Sequence, residues 1–168
     1  EERDLVDGAD QDAHDDSTAE PEGDAVTFAS LGLPEEILEA VTDMGFRVPT
    51  PIQAAAIPPL LELRDVVGIA QTGTGKTAAF GLPLLAIVDA DERDVQALVL
   101  APTRELAMQS AQAIEDFAAR TARLDVVPVY GGSPYGPQIG ALKRGAQVVV
   151  GTPGRVIDLI EKGALDLS

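Results

Sequence analysis

The chain has 168 residues, enough for one domain with a hydrophobic core, and 45% of them are hydrophobic. It lacks cysteine, which excludes disulfides and thiolate metal sites, and it has no apolar run long enough to span a membrane. The formal charge of −16 is uneven, because residues 1–24 carry eleven acidic side chains and one arginine. We expect residues 1–24 to be an acidic disordered tail and residues 25–168 to form one domain of a cytoplasmic protein.

Two helices are predicted at the start of this domain. Four apolar side chains recur on one face of the first: Leu33, Ile37, Leu38 and Val41. Gly45 ends that helix. The second helix begins near Pro51 with Thr50 as its N-cap, and we expect Pro58 and Pro59 to disturb it.

The most informative stretch of the sequence is AQTGTGKT, residues 70–77. It follows the apolar run Val66–Ile69, which predicts a strand, and precedes an apolar stretch at 78–88, which predicts a helix. Strand, glycine-rich turn, Gly-Lys-Thr and helix are the context that a phosphate loop requires. The pattern departs from the usual one at its first position, where Ala70 replaces glycine.

The residue types in this loop suit a nucleoside triphosphate. Gly73 and Gly75 allow successive backbone N–H groups to face one anion at the positive end of a helix. Lys76 can reach the terminal phosphates, and the hydroxyl of Thr77 can ligate Mg²⁺. The predicted contacts to the phosphates come from Thr72, Gly73, Thr74, Gly75, Lys76 and Thr77.

Beyond the loop, strands and helices alternate. The predicted strands are 95–101, 126–130 and 148–150, and the first of them is expected to be buried. The predicted helices are 103–123, 138–143 and 153–162. Such alternation produces a parallel sheet flanked by helices, with right-handed crossovers.

In such a sheet, ligands bind at the carboxyl ends of the strands. Besides the phosphate loop at 71–77, three strand ends carry unusual sequences: PTREL at 102–106, a Gly-Gly pair at 131–132 and TPGR at 152–155. The first and third place a threonine at a helix entrance with an arginine nearby, and both groups favour phosphate. Together these loops could hold successive phosphates of one strand without reading bases, although the first and third could instead be ordinary helix caps.

In this order the elements resemble the first motor domain of a DEAD-box RNA helicase, over residues 25–168. The resemblance rests on Phe28, the run GFRVPTPIQ at 45–53, and the AQTGTGKT, PTREL, GG and TPGR elements. It implies a RecA-like P-loop NTPase domain of an ATP-dependent RNA helicase. ATP, Mg²⁺, RNA and a second RecA-like domain of the same parent chain are the implied cofactors and partners.

The resemblance also implies roles for individual residues. Gln53 corresponds to the glutamine that reads the adenine edge, Phe28 to the aromatic that stacks on adenine, and Arg47 lies where backbone contacts to adenine are expected. Phe28 could instead anchor the neighbouring helix in the core. Lys76 and Thr77 correspond to the catalytic phosphate and magnesium residues. Ten residues correspond to the RNA backbone path: Pro102, Thr103, Arg104, Glu105, Gly131, Gly132, Thr152, Pro153, Gly154 and Arg155.

The Asp-Glu-Ala-Asp element of the family, the Ser-Ala-Thr element after it and the second motor domain do not occur in these 168 residues. We therefore expect a domain truncated before the acidic (DEAD) motif, which does not hydrolyse ATP by itself. Two alternatives stay open. Another P-loop ATPase would share Lys76 and Thr77 but has no reason to contain the Gln53 element, and a nucleotide-gated RNA-binding module would lack hydrolysis.

Overall fold

The computed structural model describes residues 25–120 and 124–168. A 3-10 turn at Phe28–Leu31 comes first. The helices are α1 (Glu35–Asp43), α2 (Pro51–Leu61), α3 (Lys76–Ile87), α4 (Arg104–Ala118), α5 (Tyr135–Lys143) and α6 (Pro153–Glu161). The strands are β1 (Ala97–Leu100), β2 (Val126–Val129) and β3 (Val148–Gly151). The expected tail, residues 1–24, lies outside the described residues, and so do residues 121–123 at the end of the predicted helix 103–123.

The first two helices agree with the sequence in all but one respect. Gly45 follows α1 with a φ of +84°, a conformation that favours glycine. The N-cap of α2 is Thr50, as predicted. The prediction that Pro58 and Pro59 disturb α2 was wrong, since the helix continues to Leu61. Both prolines lie near its end, where their carbonyls still accept hydrogen bonds from Glu62 and Arg64, so few helical bonds are lost.

The three strands form a parallel sheet in the order β1-β3-β2, which confirms the predicted parallel arrangement. In the register of the sheet, Val149 of β3 lies opposite Leu98 of β1 and Val127 of β2. The valines of β3 are fully buried, because this central strand is covered on both faces. Val148 and Val150 point into one apolar core and Val149 into a second, as the two-residue period of a strand requires.

These two cores join the helices to the sheet. The larger one combines the 3-10 turn, α1, α2, α3 and α4, with Ile57, Leu82 and Ile114 among its fully buried side chains. The smaller one covers the opposite face of the sheet and includes Leu142 of α5 and Leu159 of α6. The sheet is therefore enclosed between two helical layers, and its carboxyl end stays accessible. None of the helices in the described part of the chain has the length and apolar character to cross a membrane.

Strand β1 differs from the prediction, which made residues 95–101 a buried strand. Its residues are only half-buried and Leu100 is exposed, because β1 forms one edge of the described sheet. The N–H groups of Ala97 and Ala101 donate to the carbonyls of Gln147 and Gly151, so alternate residues of this segment face β3 and the backbone groups of Leu98 and Leu100 face outward. An apolar cavity of about 760 Å³ opens on this side, between β1 and α3.

The opposite edge of the sheet is β2, which contains Pro128. The carbonyls of Asp125 and Val129 accept hydrogen bonds from residues 148 and 152, so alternate residues of this segment face β3. Pro128 belongs to the other set and faces outward. Its missing N–H therefore costs no bond within the sheet, which is the position where a strand tolerates proline.

The predicted strand at Val66–Ile69 was wrong for the described residues. This segment pairs with no described strand, and the side chains of Val67 and Ile69 are each 93% exposed. A strand is defined by a hydrogen-bonded neighbour, and an apolar run by itself does not supply one. The helix predicted after the phosphate loop does form, as α3.

Candidate nucleotide and nucleic-acid site

The loop before α3 has the backbone geometry of an anion site. Gly73 and Gly75 adopt φ values of +79° and +82°, which other residues take only with strain. The N–H groups of residues 73–77 donate to no acceptor among the described residues. They lie at the start of the 12-residue helix α3, whose dipole favours negative charge at this end. The loop can therefore accept phosphate oxygens on unpaired backbone donors.

Lys76 and Thr77 occupy the first turn of α3. The ammonium of Lys76 donates to the carbonyl of Ala70 at 2.5 Å, so this side chain reaches back across the loop. The hydroxyl of Thr77 has no hydrogen-bond partner among the described residues and is available as a ligand. No cluster of three or more acidic, histidine or cysteine side chains suits a metal in the described ranges. A magnesium ion bound at Thr77 would thus take further ligands from phosphate and water, as is common for Mg²⁺.

The start of α2 is attached to the phosphate loop. The hydroxyl of Thr50 donates to the carbonyl of Thr74 at 2.8 Å, and the same oxygen accepts from the backbone N–H of Gln53. The amide of Gln53 accepts from the N–H of Thr50 at 3.0 Å and donates to the carbonyl of Gly75 at 3.2 Å. The sequence predicted Thr50 only as a cap. Its second bond, to the loop, could not be seen in the local pattern.

The amide of Gln53 keeps some capacity for hydrogen bonding. A glutamine side chain has two donors and two acceptor lone pairs, and one of each is used in the contacts with Thr50 and Gly75. One donor and one acceptor remain, which is the combination that the edge of adenine requires. The side chain is only 1% exposed, so the groups around it would have to move before a base could contact it. Its predicted role in reading adenine stays a prediction.

The two other residues assigned to adenine lie in different surroundings. Phe28 is 5% exposed and packs in the larger core, with its ring edge-on to Phe46 at a centroid distance of 6.4 Å. This placement is that of a core anchor, the alternative considered for it, and stacking on adenine stays a prediction. Arg47 is exposed next to Phe46. Of this aromatic pair, Phe46 has the more accessible ring.

At the carboxyl end of the sheet, the loops after β1 and β2 meet. The guanidinium of Arg104 lies over the ring of Tyr130, 4.8 Å from its centroid. A β-carbon on Gly132 would lie 3.7 Å from Nη1 of the same arginine. Arg104 is exposed and has no carboxylate partner among the described residues, so its charge is available to an anion. Sequence reasoning placed Tyr130 only at the end of a strand, with no indication that it contacts Arg104.

Two helix starts contribute to the same edge. Thr103 caps α4 by accepting from the N–H of Leu106, and Pro102 and Glu105 are exposed beside it. Thr152 makes no such cap for α6. In the part of the chain that the structure describes, the N–H groups of Gly154 and Arg155 have no acceptor, while Pro153 and Gly154 are exposed.

Arg155 is placed differently from Arg104. It is 9% exposed, and its guanidinium donates to the carbonyl of Ser133 through both terminal nitrogens at 3.1 Å. It also donates to Oε1 of Gln138 at 3.0 Å and lies 4.2 Å from the ring centroid of Tyr135. Asp158 is linked to Arg155 through Tyr135, because its carboxylate accepts a hydrogen bond from the hydroxyl of Tyr135 at 2.5 Å.

The hydrogen bond between Tyr135 and Asp158 shifts the pKa of both side chains. It raises the pKa of Tyr135, and partial burial and the nearby Asp158 charge act in the same direction. It lowers the pKa of Asp158, and Lys162 and Arg155 add to this because they favour the carboxylate. No local pattern in the sequence connects α5 with α6, so the contributions of Tyr135, Gln138 and Asp158 were missed.

A family model described as DEAD/DEAH box helicase matches residues 50–168. A protein described as ATP-dependent RNA helicase DeaD, from Mycobacterium tuberculosis, is 55% identical over 148 residues, which are 88% of this chain and 26% of that protein. The protein of the same description from Escherichia coli is 56% identical over 142 residues, which are 84% of this chain and 23% of that protein. The chain thus spans about a quarter of the length of these curated relatives.

Solved structures show the same similarity. A DEAD box protein from Methanococcus jannaschii superposes with a TM-score of 0.79 at 43% identity, over 84% of this chain and 38% of that chain. A Dbp5 variant from Saccharomyces cerevisiae, bound to RNA and ADP BeF3, superposes with a TM-score of 0.76 at 36% identity, over 84% of this chain and 36% of that one. The RecA-like α/β fold expected from the sequence is therefore confirmed.

Proposed function

Because the chain belongs to the DEAD/DEAH box helicase family, we propose that it forms the ATP-binding part of an ATP-dependent RNA helicase. The observation that carries the proposal is a set of backbone N–H groups without described acceptors, in residues 73–77, 131–132 and 154–155. Residues 131–132 follow β2 and residues 154–155 follow β3, at the carboxyl end of the sheet, whereas residues 73–77 form the loop and first turn of α3. Such donors bind phosphate oxygens and recognise no base.

In this proposal, residues 70–77 bind the phosphates of ATP. Lys76 exchanges the carbonyl of Ala70 for phosphate oxygens, and the N–H groups of Gly73 and Gly75 approach the same anion. Thr77 supplies a hydroxyl ligand to Mg²⁺, which neutralises phosphate charge when it is bound. The remaining donor and acceptor of Gln53 pair with the adenine edge, with Phe28 and Arg47 nearby.

RNA binds along the carboxyl edge of the sheet. Arg104 has an uncompensated charge, and the Gly131-Gly132 turn and the start of α6 offer backbone donors to successive phosphates. Support for RNA as the ligand comes from the family and from the similar Dbp5 variant, which is described with RNA bound. Contacts of this kind give binding without sequence preference, as local strand separation requires.

The remaining parts of the proposal concern the whole protein. The acidic Asp-Glu-Ala-Asp element and a second RecA-like domain are supplied from outside these 168 residues, and the protein acts in the cytoplasm. The chain alone then binds ATP and does not hydrolyse it, because it lacks the acidic group that activates water. RNA-stimulated ATP hydrolysis by residues 1–168 alone would contradict this.

The test uses the full-length protein and two pairs of variants. Lys76→Gln should abolish RNA-stimulated ATP hydrolysis, while the exposed Lys143→Gln on α5 should leave it unchanged. Arg104→Ala should weaken binding to unrelated RNA sequences by about tenfold and lower the slope of log K against log salt by about one. The exposed Arg64→Ala serves as its control. Unchanged RNA affinity in Arg104→Ala would contradict the proposed RNA edge.

A separate variant distinguishes a helicase of this family from another P-loop ATPase. Gln53→Glu keeps an acceptor for the N–H of Thr50 but removes the amide donors. It should reduce the preference for ATP over GTP if Gln53 reads adenine. An unchanged preference, in a variant that still binds nucleotide, would favour a different P-loop ATPase.

A further inference from the structure

The Gly131-Gly132 turn is held from both sides by buried side chains. Before the turn, the carbonyl of Tyr130 accepts a hydrogen bond from Nε2 of Gln138 at 3.2 Å. After the turn, the carbonyl of Ser133 accepts two hydrogen bonds from Arg155 at 3.1 Å. Gln138 and Arg155 also bond to one another at 3.0 Å. Two side chains from two helices thus fix the carbonyls on either side of the glycine pair.

The bonds to carbonyls leave the donors of the turn available. The N–H groups of Gly131 and Gly132 have no acceptor among the described residues, and both residues are exposed. Gly132 has a φ of +75°, so the turn depends on glycine at that position. A fixed and exposed backbone whose N–H groups have no described acceptor is suited to one phosphate, because little ordering entropy is lost on binding.

Arg155 is in turn held by Tyr135 and Asp158. The tyrosine ring covers its guanidinium at 4.2 Å, and the tyrosine hydroxyl donates to Asp158 at 2.5 Å. The carboxylate of Asp158 also lies 3.9 Å from Nε of Arg155 and 3.5 Å from Nζ of Lys162. Arg155 therefore has most of its five N–H donors directed at protein groups, unlike the exposed Arg104.

We propose that Tyr135 is a positioning residue for RNA binding, which acts with Asp158 by fixing Arg155 against the Gly131–Ser133 turn. Arg155 then contributes to binding through the turn that it holds, whose N–H groups meet the phosphate. This inference rests on the proposed RNA edge and deepens it. It adds Tyr135, Gln138 and Asp158 to the residues on which RNA affinity depends.

Graded substitutions of Tyr135 in the full-length protein test this. Tyr135→Phe keeps the ring over Arg155 and loses the bond to Asp158, so the RNA concentration for half-maximal ATPase stimulation should rise about threefold. Tyr135→Leu loses both contacts and should raise it about tenfold or more. The affinity for ATP without RNA and the rate at saturating RNA should stay unchanged. The exposed Ile157→Ala on α6 is the matched control.

A double-mutant cycle separates positioning from general loss of structure. Asp158→Ala should weaken RNA binding at least as much as Tyr135→Phe, because it removes the same bond and also the contacts of the carboxylate with Arg155 and Lys162. The combined variant should bind no worse than Asp158→Ala alone, because the bond to Tyr135 is already lost there. The salt dependence of Tyr135→Phe should keep its slope, since no cation is removed. Thermal unfolding of each variant identifies any that fail to fold. If Tyr135→Leu does not fold, the conservative Tyr135→Phe decides the outcome.

The two proposals fail in different ways. Unchanged RNA dependence in Tyr135→Phe and Asp158→Ala, with weakened binding in Arg104→Ala, would overturn the positioning role alone. Unchanged binding in Arg104→Ala and in the Tyr135 variants would overturn the RNA edge itself. Equal losses of ATP affinity and RNA affinity in Tyr135→Phe would also overturn the positioning role, because they would indicate a general structural effect.

Discussion

The side chain of Gln53 packs directly against Gly75. Its amide nitrogen donates to the carbonyl of Gly75, and a β-carbon on Gly75 would lie 2.2 Å from that nitrogen. The glutamine is buried and held by Thr50, so it cannot move aside without losing its other bonds. The start of α2 and the phosphate loop therefore form one unit. A change in either one should be measurable at the other.

Gly75→Ala should damage nucleotide binding more than Gly73→Ala. Both glycines have φ near +80°, so each alanine carries a backbone strain of about 1–2 kcal/mol. At Gly75 the new β-carbon would also meet Gln53, whereas no atom of the described residues lies within 4 Å of the corresponding position at Gly73. We expect a larger loss of ATP affinity and of thermal stability in Gly75→Ala. Equal losses in titration calorimetry and melting would contradict the contact with Gln53.

Thr50→Val should weaken both the helix cap and the loop. Loss of the cap should destabilise the domain by about 1 kcal/mol. Loss of the bond to the Thr74 carbonyl should also lower ATP affinity, by roughly fivefold if that bond contributes about 1 kcal/mol. Thr50→Ser should keep both the stability and the ATP affinity, because it retains the hydroxyl. Thr42→Val is the control, because among the described residues the Thr42 hydroxyl bonds only to the carbonyl of Leu38 within α1.

Gln147→Leu should be among the most destabilising substitutions at a polar residue. The buried amide of Gln147 accepts from the N–H of Asp125 and donates to the carbonyls of Ala90 and Glu92. Leucine would remove the described partners of the Asp125 N–H and the Ala90 carbonyl, while the Glu92 carbonyl would keep its bond from Gln96. We expect a cost of about 1–3 kcal/mol. Gln112→Leu, at an exposed position of α4, should change the free energy of unfolding by less than about 0.5 kcal/mol. Urea unfolding of both variants checks this.

Asp158 should contribute to stability in a pH-dependent way. Its pKa is lowered in the folded protein, chiefly by the hydroxyl of Tyr135, so the folded state favours the carboxylate. The stabilisation is therefore present above the unfolded pKa of about 3.9 and is lost as the pH falls through the lower folded value. The stability difference between wild type and Asp158→Asn should shrink between pH 5 and pH 3. A constant difference in urea unfolding would contradict the shift.

The sequence predicted what depends on local pattern. The phosphate loop, the caps at Thr50 and Thr103, and the strands that form β2 and β3 all follow from spacing and residue type within a few positions. Parallel topology followed from their alternation, and it brought the loops after three strands to one edge. These predictions needed no knowledge of which side chains meet across the sheet.

The errors and omissions concern contacts between distant segments. Val66–Ile69 has the composition of a strand, but a strand also needs a neighbour, and composition does not indicate one. Arg104 and Arg155 occupy similar positions in their motifs, although one is exposed and the other is enclosed by Tyr135 and Gln138. That difference arises from how α5 packs beside α6, which no local pattern records.

Pro128 makes the two edges of the described sheet unequal in their ability to pair with a further strand. On the β2 side, an approaching strand would meet a proline ring where a hydrogen-bond donor is needed, as on edges that resist strand addition. On the β1 side, the outward backbone groups of Leu98 and Leu100 meet no such barrier, and an apolar cavity lies next to them. Any additional strand, from this polypeptide or from another, would therefore pair with β1. A proline in place of Leu98 or Leu100 would remove an outward N–H there and hinder strand pairing at this edge as well.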